Sequence, residues 1–254
     1  RRQEALLQEY NDICARIKAA KDEALSSSVL PDDVMERIRQ LQIDRKKINT
    51  HLDENISRRY LDISESLSIP KSDRIDIKIT MPAKSVVRDL VTEAQAAVEN
   101  LTSKKLGLSR SDLSARAKNP GTRSCYKPDY NQIKISADAG GTDVAHEMAH
   151  WVEESSAHAH KRCVEFLEYR CAGETSRKLS EITGNILYEP HETARKDKFF
   201  DPYCGKDYPD GKGGKRATEI LSMGLERVLA DPLQFQQEDL EYFVFVLMLL
   251  RGAL

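Results

Sequence analysis

Two histidines four residues apart, His146 and His150, with Glu147 directly after the first, constrain the fold of this chain more than any other feature. Positions i and i+4 of an α-helix lie on one face, so both imidazoles reach a single ion only if residues 146–150 are helical. The Glu147 carboxylate then projects towards the edge of that face, where it can act as a general base on a water activated by the metal. The flanks agree with this reading. Tyr130-Asn-Gln-Ile-Lys-Ile-Ser136 alternates as a half-buried strand does, Gly140-Gly141 interrupts it, and Thr142 or Asp143 offers an N-cap. Strand, glycine turn and zinc-carrying helix are therefore expected in that order, with peptide-bond hydrolysis as the leading reading of the chemistry.

Zinc in a catalytic site takes a third protein ligand and keeps a position open. A histidine ten residues after His146 would provide it in one arrangement, but position 156 is Ser and position 153 is Glu. His158 and His160 follow closely, yet a helix continuing from His150 would carry them roughly 12 to 15 Å along its axis. They are expected to be solvated or to sit on a second helix. The stretch Ala217-Thr-Glu-Ile-Leu-Ser-Met-Gly-Leu-Glu-Arg-Val-Leu229 is helical in pattern and carries Glu219 and Glu226 on one face, seven apart. Glu219, early in that helix, is expected as the third ligand. Glu226 then accepts the second ring proton of a ligating histidine or contacts substrate. An ordinary solvated helix face remains the alternative for either glutamate.

On His146-Glu147-x-x-His150 and Glu219 the chain resembles the zincin-like metallopeptidases, in particular the gluzincins, over roughly residues 120–230. More distantly it is similar to the catalytic domain of anthrax lethal factor, where a tyrosine before the glutamate helix supports the transition state. That resemblance points to Tyr203 or Tyr208, although the tyrosine-to-glutamate spacing does not match well. A phenol near an oxyanion is a sound chemical role for either. His191 is a further candidate for it, against an ordinary loop histidine. The segments Asp201–Tyr208 and Ala217–Gly224 also resemble, weakly, peptidase-like proteins encoded in phage and prophage regions.

The mechanism expected from these residues has zinc on His146, His150 and Glu219, Glu147 taking a proton from the attacking water and returning it to the leaving amine, and a tyrosine or histidine at the oxyanion. A protein or peptide substrate is expected, because an extended chain could add itself as a strand beside the active-site helix. Two other readings share the sequence. One is a structural or assembly protein with a structural, degenerate or self-processing zinc site; the other is a toxin or effector with the same chemistry and a single host target.

Composition limits the surroundings. The chain has 254 residues, 40% of them hydrophobic, enough for a real core. A net charge of −2 argues against a general nucleic-acid surface, with Arg45-Lys-Lys47 read as a solvated helix face. Five cysteines without a CxxC pair favour a reducing, cytoplasmic setting, although localisation is otherwise open. Cys163 and Cys171 suit packing, and Cys204 is expected to be structural rather than nucleophilic. The first residue is Arg1 rather than Met, consistent with a processed or trimmed chain. Tyr242–Leu250 is the longest apolar run and is too short to span a bilayer, so it reads as a buried C-terminal helix that could also meet a partner. Gly211-Lys-Gly-Gly-Lys215 lacks the surroundings of a phosphate loop.

The predicted architecture is α+β and mostly helical, in two parts. Residues 1–70 form a helical hairpin or coiled-coil arm, with Leu6, Tyr10, Ile13, Ile17 and Ala20 on one helix and Val34, Ile38, Leu41, Ile48, Leu52 and Ile56 on the next. That arm is a scaffold or a protein-docking element. Residues 71–254 form a zincin-like domain with a small mixed sheet and an active-site helix. Arg74–Thr80 is its clearest strand, residues 84–104 a helix, and Leu106–Gly121 a polar, basic, turn-rich connection.

Overall fold

The computed structural model describes residues 59–184, 188–208 and 217–254, together with scattered positions between 9 and 44. The chain divides into two compact units, Arg1–Arg58 and Arg59–Leu254. In the first, every described position is helical, and Ile13, Ile17, Ala20 and Leu41 are buried. The remainder of the expected hairpin, Arg45–Lys47 included, lies outside the described residues. The division falls at 58/59 rather than at 70, because helical residues 59–66 join the second unit's core through Tyr60.

The second unit is α+β. Its main sheet has the order β1-β2-β4-β3, from β1 (Lys78–Thr80), β2 (Asp112–Lys118), β3 (Cys125–Lys127) and β4 (Gln132–Ser136). The first three neighbours run parallel, and β3 closes the sheet antiparallel to β4. Helices α1 (Arg88–Leu101) and α2 (Gly141–Ser155) pack on each other, and α2 also meets β3 and β4. Helix α2 continues through Ser156 into α3 (Ala157–Arg170). Around α4 (Leu179–Thr183) lies a three-stranded sheet, with β5 (Arg177–Lys178) directly before that helix and β6 (Thr193–Ala194) and β7 (Lys206–Asp207) after it, paired in that order and all antiparallel. The chain closes with α5 (Ile220–Ala230), α6 (Pro232–Glu238) and α7 (Leu240–Leu250).

Several expectations change here. Of Arg74–Thr80 only the last three residues pair as a strand. Ile75 N–H instead donates to Thr102 O, Ile77 N–H to Glu99 Oε1, and Gln95 Nε2 donates to Ile77 O, so α1 and its C-cap take the backbone partners a ladder would have supplied. The connection Leu106–Gly121 contains β2, a central strand. Its buried side is only Leu113 and Ala115, an alternation too short to stand out among polar and basic neighbours. Strand β4 is likewise internal, and β3 is the edge beside α2.

Helix α2 is what the histidine spacing demands. Val144, Ala145, Met148, Ala149, Trp151 and Val152 are fully buried, leaving His146 and His150 on the remaining stripe. The N-cap is Gly140 rather than Thr142 or Asp143; Asp143 Oδ2 instead accepts from Gly140 N at 2.9 Å, tying the first turn together. Helix α5 is the partner α2 packs on most extensively, and α7 covers α5. Tyr242, Val246, Leu249 and Leu250 of α7 are completely buried, while Leu240, Val244 and Met248 remain exposed. No helix among the described residues is long and apolar enough to cross a membrane.

Candidate metal centre

His146, His150 and Glu219 meet where α2 crosses the start of α5. Glu219 occupies the N-cap position of α5, so its side chain leaves the helix end and turns into the space above α2. His146 Nε2 and His150 Nε2 lie 3.3 and 3.1 Å from Glu219 Oε2, and the two rings stand edge to face with centroids 4.9 Å apart. One donor atom from each of the three residues falls within 4.8 Å of the others. Two neutral imidazoles and a carboxylate are a donor set that suits zinc.

The surrounding groups fix that set. His146 Nδ1 is 2.9 Å from Glu226 Oε2, the contact expected of a ligand whose second nitrogen is held by a carboxylate. Glu219 Oε2 accepts from Ser222 Oγ at 2.8 Å, and Glu219 Oε1 accepts from the Tyr208 hydroxyl. Thr218, one residue earlier, donates from Oγ1 to both oxygens of the buried Glu153 at 3.0 and 2.9 Å. Glu153 also lies 3.2 Å from His160 Nδ1. His160 reaches it from a second helix, because α2 ends at Ser155, one turn past His150. Ser156 breaks it, accepting from Ala159 N and donating to Leu106 O at 2.6 Å, and α3 turns back.

Electrostatics follow from burial. Glu219 is 1% exposed, and although burial alone would raise its pKa, the adjacent histidines hold it well below the usual carboxylate range. For His146, burial favours the neutral ring, but hydrogen bonds and charge from Glu219 and Glu226 outweigh it and push the pKa up to about 10. A buried carboxylate that draws a proton onto His146 is a site that accepts positive charge. Glu147 is also buried. Its pKa is raised by desolvation, against the lowering influence of both histidines and of Tyr126 N–H, which donates to Oε2 at 2.6 Å.

These residues open onto a cleft of about 530 Å³ bounded by β3, α2 and the segments carrying Tyr208 and Glu219. Tyr208 lines it; Tyr203 does not. Tyr203 is buried in a satellite cluster with Leu179 and Ala194, accepts a hydrogen bond from Lys206 Nζ at 3.0 Å, and stacks on Tyr188. It is the second residue of a short 3-10 segment, Pro202–Gly205, and unlike Tyr208 it is not placed to serve the cleft as an oxyanion group. His191 sits on an exposed turn outside the cleft. His158 contacts Leu254 O on the far side of α3. Cys204, Cys163 and Cys171 are buried thiols pushed to higher pKa by desolvation, as packing residues would be. The loop 211–215 lies outside the described residues.

Tyr126, Glu153, Thr218 and His160 carry no local sequence signal of their role. Compared with known protein families, curated proteins and solved structures, the chain matches none.

Proposed function

We propose that this chain is a zinc-dependent peptidase of the gluzincin kind. The observation that carries the reading is the convergence of His146, His150 and Glu219 within one cleft, with Glu147 at its edge. Edge strand β3, antiparallel and next to α2, adds support, since an extended peptide pairs readily with such an edge. Zinc held by these three side chains would polarise a scissile carbonyl and acidify water.

Glu147 receives the proton of the attacking water and returns it to the leaving nitrogen; its burial raises its basicity for the first step. Tyr126 N–H fixes the carboxylate from β3, so the base and the strand along which substrate would lie are held in register. Glu226 holds the Nδ1 proton of His146, which leaves Nε2 as the lone-pair donor. Tyr208 supplies a hydroxyl that can turn from Glu219 towards a developing oxyanion.

Elemental analysis of purified wild type, Glu219→Ala and Glu226→Ala tests the ligand set. About one zinc per wild-type chain, lost with Glu219→Ala and weakened about 10- to 100-fold with Glu226→Ala, is expected. Glu147→Gln should keep its zinc and lose all cleavage of a pooled peptide library. A folded wild type that takes up no zinc, or a Glu147→Gln variant that still cleaves, would end this reading.

A further inference from the structure

The four-stranded sheet has a second face that the metal site does not use. Leu113, Ala115, Ile133 and Ile135 point into the core, and the residues between them alternate to the other side. There the register sets Arg116 of β2 directly opposite Lys134 of β4. Arg116 is exposed and Lys134 half-buried, and neither has a carboxylate partner among the described residues. Like charges facing each other across a ladder are destabilising, so the fold keeps an unfavourable pair at this position.

The positive charge continues into the cleft. Lys118 ends β2 and donates from Nζ to Arg123 O, and Lys118, Arg123 and Lys127 all line the cleft wall built from β3. Arg123 is 62% exposed, with Glu192 only at 3.4 Å, and Lys127 is exposed with no ion pair among the described residues. Of the cleft's own carboxylates, Glu219 and Glu147 belong to the metal site and Glu153 is held by Thr218 and His160. A basic track therefore runs from the open sheet face to the place where peptide would be cut.

We infer that the substrate is an acidic peptide segment, drawn along Arg116, Lys134, Lys118, Lys127 and Arg123 into the cleft. The inference rests on the peptidase reading and names its substrate class. Carboxylates fit better than nucleic acid, because the outward positions of β2, β3 and β4 carry no aromatic side chain on which bases could stack. Tyr126, the aromatic residue of β3, pairs with Ile133 and shares its buried side. Such a track steers and selects more than it tightens, and salt weakens it.

Binding is read by fluorescence anisotropy on the zinc-loaded Glu147→Gln chain, so that it does not depend on turnover. The probes are a labelled peptide carrying a glutamate block and the same peptide with glutamine in its place. The acidic peptide should bind about tenfold tighter at low salt. The preference should vanish in Arg116→Gln/Lys134→Gln and shrink in Arg123→Gln/Lys127→Gln. The Arg116→Gln/Lys134→Gln variant should melt no lower than its parent, since it removes a repulsion. Equal affinity for the two peptides, or displacement of the acidic peptide by single-stranded RNA of equal length at lower concentration, would overturn the inference. Wild-type cleavage of both peptides at equal rates with equal binding overturns it and leaves the peptidase reading standing. An acidic preference without cleavage by wild type supports it as a binding surface and removes the peptidase reading instead.

Discussion

At the residue scale, the candidate site is defined by which side chains reach Glu219. Tyr208 and Tyr203 are five positions apart, yet one donates to the Glu219 carboxylate and the other is buried against Lys206 and Tyr188. Tyr208→Phe should lower kcat about a hundredfold while leaving zinc content and KM near wild type, the pattern of a group used in the transition state. Tyr203→Phe should leave kcat unchanged. Steady-state kinetics of the two variants separate these roles, and equal effects would contradict the assignment. The glutamates divide in the same way. Glu219 and Glu226 share a face by their spacing, but only Glu219 stands at the helix N-cap, from which its carboxylate reaches both histidines.

At the element scale, the site depends on how closely α5 lies between α2 and α7. Gly224 permits that approach: a Cβ there would come within 2.4 Å of Val246 Cγ2 and 3.1 Å of a Tyr242 ring carbon. Gly224→Ala should cost about 1–3 kcal/mol in denaturant unfolding, and should weaken zinc binding because α5 carries both Glu226 and the cap at Glu219. The small sheet beside the cleft is tied by charge instead. Burial pushes Glu192 up, but Lys206 Nζ at 2.6 Å, the Glu189 N–H and Arg123 outweigh it and hold its pKa below the usual value. A carboxylate held low contributes stability that is complete above its unfolded value near 4.5 and is lost as pH falls through the folded one. The melting temperature of wild type should therefore fall more steeply below pH 4.5 than that of Glu192→Gln. Parallel curves would show that the pair contributes nothing.

At the scale of the whole molecule, the second unit places a buried carboxylate and two imidazoles together in its interior, and a bound cation should stabilise that arrangement. Zinc at about a thousandfold excess over its Kd adds about 4 kcal/mol to a fold that binds it only when native. Chelation should lower the wild-type melting temperature and leave Glu219→Ala unmoved; a shift of equal size in both would place the metal elsewhere. The sequence was sufficient for the helix at 146–150, for Glu219 at the start of a later helix that carries Glu226, for the strand ending at Ser136 and for an apolar C-terminal helix. Each of these rests on local periodicity or on a spacing that a single element enforces. It was not sufficient for β2, whose short apolar side is set by Leu113 and Ala115, nor for β3 as the edge strand, nor for Tyr208 over Tyr203. Nor did it show that His160 returns to Glu153 after the break at Ser156, or that Arg116 faces Lys134. These are relations between residues distant in the chain, fixed by strand register and helix crossing, and only tertiary packing decides them because no local energy term distinguishes the alternatives.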